Sequence, residues 1–94
     1  MEEKFIAAWA KARQQAAEKG IKMRPVSDDQ AMQTAHRTLT GHRESDGFWQ
    51  LADKGLLKLS LEALATRKEF TALFSDEEAN NALTRLLDAG YTFK

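Results

Sequence analysis

The chain has 94 residues, no cysteine, and fourteen Lys/Arg balanced by fourteen Asp/Glu. That length suits one small domain over residues 1–94. The zero net charge removes any whole-chain electrostatic case for nucleic acid, and the missing thiols exclude disulfides, thiolate metal sites and cysteine nucleophiles.

Apolar residues recur at helical spacing along almost the whole chain. Phe5, Trp9, Ala12 and Ala16 fall on one stripe and predict a helix over residues 3–19. Glu2 and Glu3 at its start and Lys19 at its end follow the order the helix dipole favours, with Gly20 as the stop. Residues 21–26 read as a connector, extended at Arg24 because Pro25 follows. Ser27 and Gln30 have capping-box spacing and predict a second helix with Ala31, Met32, Ala35 and Leu39 inward, ended by Gly41.

Ser45 or Asp46 is positioned to cap a short third helix with Phe48, Leu51 and Ala52 on one face, stopped by Gly55. Ser60 opens the next segment, with Leu61, Leu64 and Ala65 on one side; Phe70, Leu73 and Phe74 point elsewhere, which predicts a break near residues 67–69. Ser75 and Glu78 form a second capping box and start a last helix with Ala79, Ala82, Leu83, Leu86 and Leu87 inward, ended by Gly90. Tyr91 and Phe93 are expected to fold back onto the core. The sum is an all-α, single-domain orthogonal bundle of five or six short helices.

Reactive constellations are missing from this pattern. His36 and His42 stand six apart, whereas two metal ligands on one helix face need a spacing of three or four, so no metal and no cofactor is expected. The serines at 27, 45, 60 and 75 all fall where helix caps are needed, and neither a nucleophile elbow nor a glycine-rich phosphate loop occurs. The expectation is not an enzyme. No stretch approaches the ~18 apolar residues of a membrane span. The opening MEEKFIAAWAKARQQ is broken by Lys11 and Arg13 before a signal-like run forms, so a cytoplasmic setting without a membrane is expected.

What remains is recognition. Trp9, Trp49, Phe70, Phe74, Tyr91 and Phe93 are many large aromatics for one small core, and any left in water would anchor a partner. In the stretch HRTLTGHRESDGFWQ, Arg37, His42, Arg43 and Trp49 lie off the inward faces and close in sequence. The leading expectation is a non-enzymatic accessory or regulatory module that binds another protein, or a second copy of itself, through that patch. The alternative uses the basic front half: Lys11 to Arg43 holds seven Lys/Arg against three acids. Against it, Asp46 and Asp53 flank the helix that would have to enter a DNA groove.

Overall fold

In a computed structural model that describes residues 2–91, the chain is all-α: five α-helices and three short 3₁₀ segments, with no strand among the described residues. Helix α1 (Glu2–Glu18) buries Phe5, Trp9, Ala12 and Ala16, the predicted stripe. It stops before Lys19, which therefore lies in the turn and not in the last helical turn. Gly20 takes φ +84°, and the N–H of Ile21 reaches the Ala16 carbonyl at 2.9 Å while that of Gly20 reaches Ala17 at 3.0 Å. This paired ending satisfies two orphan carbonyls and needs a left-handed residue. The same two-bond pattern closes the third and fifth helices at Gly55 and Gly90. Gly41 ends the second helix differently, in extended backbone at φ −77°.

A 3₁₀ turn (Asp28–Gln30) leads into α2 (Ala31–Thr40), where Ala31, Ala35 and Leu39 are buried and Met32 is half-buried. The expected Ser27–Gln30 capping box does not form. The Ser27 side chain makes no cap bond, because the tighter first turn gives the Gln30 amide to the Ser27 backbone carbonyl at 3.1 Å.

Helix α3 (Phe48–Asp53) is likewise capped by neither Ser45 nor Asp46. Its N-cap is Gly47, at φ +76°, and a Cβ there would meet Met23 Cγ at 3.1 Å and Ile21 Cγ2 at 3.3 Å. The loop 41–47 thus presses against the 21–23 connector at a point where only glycine combines that backbone with that closeness. Both expected caps are committed elsewhere. Ser45 bonds to Glu62, and Asp46 accepts from the Arg24 N–H at 2.8 Å.

A 3₁₀ turn (Leu57–Leu59) precedes α4 (Leu61–Ala65), whose N-cap Ser60 accepts from Ala63 N–H at 3.1 Å. Sequence spacing puts one face of this segment inward, yet all five of its residues are buried. Helix α4 is the centre of the fold, packed by α1 and by α5 (Asp76–Asp88) at once. The predicted break follows at residues 66–67, and the next piece (Lys68–Leu73) is a 3₁₀ helix that buries Phe70. Phe70 and Phe74 both meet Phe5 edge-on, at centroid distances of 5.3 and 5.1 Å. The 3₁₀ helix and the residue that follows it thereby converge on one fully buried ring of α1.

Helix α5 opens on the predicted capping box, with both bonds made: Glu78 N–H to Ser75 Oγ at 3.1 Å and Ser75 N–H to Glu78 Oε1 at 2.8 Å. Its inward face is rotated from the expected one. Glu78, Ala82, Arg85 and Leu86 are buried, whereas Leu83 and Leu87 are 38% and 57% exposed. Ala82 and Leu86 of the expected stripe are inward, but two charged residues are buried where Leu83 and Leu87 are expected. Tyr91 packs half-buried against the core; Phe93 lies outside the described residues.

Candidate functional site

The two inward charges of the last two helices meet. Glu62 of α4 is fully buried, and Arg85 of α5 places Nη1 3.2 Å from its Oε2. Both groups make further hydrogen bonds. Ser45 donates its N–H to Oε2 at 2.8 Å and its hydroxyl to Oε1 at 2.5 Å. Arg85 donates to the Thr38 carbonyl at 3.1 Å and to the Gly41 carbonyl at 2.7 Å. A buried ion pair survives desolvation only when its other donors and acceptors are satisfied, and here that requirement fixes loop 41–47 at both ends. The C-terminus of α2, the loop, α4 and α5 are tied by one polar knot.

That knot holds the surface expected to be functional. His42 and Arg43 are exposed on the loop, and Trp49 is 50% exposed on α3, its ring standing edge-on to buried Phe48 at 5.3 Å. Trp9, by contrast, is 6% exposed and belongs to the core. Arg37 is exposed on α2, but it faces a different feature. Among the described residues no hydrogen bond, ion pair or ring contact joins any two of Arg37, His42, Arg43 and Trp49.

The feature Arg37 faces is a cleft of about 270 Å³ between α1, the connector, α2 and the loop. Arg13, Arg24 and Arg37 line it with a single carboxylate, Asp46, while Trp9, Met23, Val26 and Leu61 supply apolar wall. Arg13 lies over the Trp9 ring, its guanidinium carbon 4.8 Å from the centroid, and its Nη2 donates to the Val26 carbonyl at 3.3 Å. Its Nη1 is buried and, among the described residues, has no hydrogen-bond partner. Burial pushes the Arg13 pKa down from its ordinary value, and the nearby Asp28 charge opposes that. The front-half basic residues do not all gather here. Lys11 lines a separate groove with Lys58 and Arg67, and the end of α1 at Lys19 is held from the back half by Lys54, which donates to the Lys19 carbonyl at 2.8 Å.

His36, the other histidine of the stretch, is not drawn towards a metal site. Its Nδ1 shares a hydrogen bond of 2.5 Å with Oε2 of Glu78, and its ring lies 5.3 Å from that of Phe74. No group of three or more His, Asp or Glu that would hold a metal occurs among the described residues, and no described helix is long and apolar enough to cross a membrane.

Burial alone would raise the Glu78 pKa, but the Ser75 amide, His36 and the Ser75 hydroxyl together hold it below the ordinary carboxylate value. An acid with a depressed native pKa stabilises the fold above its unfolded pKa. That stabilisation is lost as pH falls through the ordinary carboxylate range towards the native value. Urea midpoints measured downward from pH 6 are therefore expected to fall in the acid range, and to fall less steeply for Glu78→Gln. Equal slopes for the two chains would refute this assignment.

The residues that spacing did not single out are Glu62 and Arg85; Arg13 and Arg24 fall within the basic front half, but nothing in their spacing placed them in one cleft with Arg37. A signal for the first two exists in retrospect. Glu62 interrupts the apolar run LSLEALA, and Arg85 sits beside Leu86 one turn after Ala82, so two opposite charges occupy inward positions of two apolar segments. No known protein family, curated protein or solved structure matches the chain.

Proposed function

We propose that this chain is a non-enzymatic interaction module that binds another protein, or a second copy of itself, through the loop 41–47 and α3 edge. The observation that carries the reading is the half-exposed indole of Trp49 beside a loop clamped from below by Glu62 and Arg85. A tryptophan held on a pre-ordered support binds without a large ordering cost, and such aromatics dominate interface energetics. His42 and Arg43 supply the polar rim.

Affinity capture from a native lysate, paired with light scattering of the purified chain, tests this. The wild-type chain is expected to retain a partner or to self-associate, and Trp49→Ala to weaken that by about 30-fold, the scale of an interface hot spot. The variant also removes the edge contact with Phe48 and the buried half of the indole, so a far-UV circular dichroism spectrum matching the parent accompanies the binding measurement. A strictly monomeric wild-type chain that retains nothing would sink the proposal.

A second reading, nucleic-acid binding, is favoured by the convergence of Arg13, Arg24 and Arg37 from the basic front half. It requires a salt-sensitive gel shift weakened by Arg37→Ala and Arg43→Ala. No shift with DNA or RNA at ~50 mM salt, where phosphate contacts are strong, rejects it.

A further inference from the structure

We infer that the cleft between α1, the connector and α2 is a receptor for a small organic phosphate: an anionic head joined to an apolar ring. Three arginines from three different elements line a space with one acidic residue, Asp46, in its wall. Its carboxylate already accepts a hydrogen bond from the Arg24 backbone. Arg24 and Arg37 are exposed at the cleft and make no ion pair among the described residues. Arg13 is half-buried with a single 3.3 Å bond and an unpartnered, buried Nη1, an arrangement that costs free energy unless an anion offsets it. Asp28 acts on Arg13 only through its field, with no hydrogen bond between them.

The rest of the wall defines what the anion is attached to. Trp9 and Leu61 are buried, Met23 and Val26 half-buried, and together they offer an apolar flank. Thr34 and Thr38 stand one helical turn apart on the α2 face that carries Arg37, adding hydroxyls beside the arginine. A volume of about 270 Å³ is at or below the low end of the roughly 300–1,000 Å³ of ligand pockets, so the occupant is one ring with its head group. A polymer fits less well, because Asp46 at the wall would repel a second phosphate. The inference goes beyond the protein-binding reading and does not depend on Trp49.

The test uses Trp9 as reporter. The chain has two tryptophans, so Trp49→Phe leaves only the one that lines the cleft. Phenyl phosphate is expected to change Trp9 emission saturably with a Kd of about 0.1–1 mM, the range open to a ligand of so few atoms. Phenol is expected to have no effect, and inorganic phosphate to bind several-fold more weakly. Arg24→Ala and Arg37→Ala, both surface changes that leave the fold intact, should each weaken binding about tenfold, the scale of one charge-assisted hydrogen bond. Lys58→Ala, in the other groove, should leave it unchanged.

Four results would overturn the inference. They are no saturable change up to about 10 mM, well beyond even a weak millimolar Kd, phenol matching phenyl phosphate, arginine variants that bind like the parent, or a short oligonucleotide that binds the cleft more tightly than phenyl phosphate.

Discussion

Replacing Arg85 with methionine is expected to lower the unfolding free energy by about 3–5 kcal/mol, the cost of leaving one member of a buried ion pair without its partner. Glu62 would keep the two donors of Ser45 but lose its counter-charge inside a helix with no exposed residue. The Thr38 and Gly41 carbonyls would lose their donor as well. For a chain of this size, whose total stability is of order 5–14 kcal/mol, that loss is a large fraction.

Urea unfolding measures it, as a lower midpoint at unchanged slope. The double variant Glu62→Leu/Arg85→Met separates charge from shape. It removes both charges and should recover part of the loss, giving a coupling energy of about 1–3 kcal/mol. A single variant that loses less than about 1 kcal/mol would mean that water reaches Glu62 and that the knot is not dry. The same variant should free the Ser45 amide to exchange, because that amide is held only by the carboxylate whose position depends on Arg85.

Phe5→Ala is the second large change, expected to cost about 3–5 kcal/mol. Phe5 is fully buried and touches three other rings, those of Trp9, Phe70 and Phe74. Those partners come from α1 itself, the 3₁₀ helix and the residue that follows it, so no single element can move inward to fill the space. At about 4–8 °C per kcal/mol for a domain of this length, the midpoint should fall by more than 10 °C. Phe5→Leu should cost much less, since it keeps most of the volume. A similar small loss for both would show that the aromatic cluster collapses around the cavity. The Phe5 cluster and the Arg85 knot share no direct partner, so their effects should add. The combined variant is then expected to lose about 6–10 kcal/mol, most of the stability of a chain of this size.

Much of this architecture was legible because it depends on neighbours a few residues apart. Ser75 with Glu78, Ser60 with Ala63, and the glycines after α1, α3 and α5 act through hydrogen bonds spanning three to five residues. Spacing therefore reads them directly. The stripe of α1 was legible for the same reason, since a helix with one packed face must repeat at 3.6 residues. The misread caps at Ser27, Ser45 and Asp46 each failed to a competing bond. Ser27 lost to a tighter local turn, while Ser45 and Asp46 were taken by groups 17 and 22 residues away.

The candidate sites were less legible. Arg37, His42, Arg43 and Trp49 are all exposed, as their wheel positions imply. Which of them share a surface is a different matter. Arg37 belongs with Arg13 and Arg24, residues far earlier in the chain, because α1 and α2 meet across the connector. Leu83 and Leu87 look like core on a wheel, but a helix is turned by its strongest constraint. Here that constraint is the Arg85–Glu62 pair together with the bonds of Asn81 to the Leu39 carbonyl and Glu78 to His36.

By itself, the amino-acid sequence determined that the chain is helical, where α1 and α5 begin and end to within a residue or two, and that no thiol chemistry is available to it. Local hydrogen bonding and periodic burial carry that information, and both act over a few residues. Only the tertiary structure decided which face of α5 is inward, that α4 lies at the centre, and that three arginines share one cleft. The turn of α5 and the central place of α4 rest on pairings between residues 17 to 47 positions apart, in which the buried Glu62 and Arg85 charges find partners.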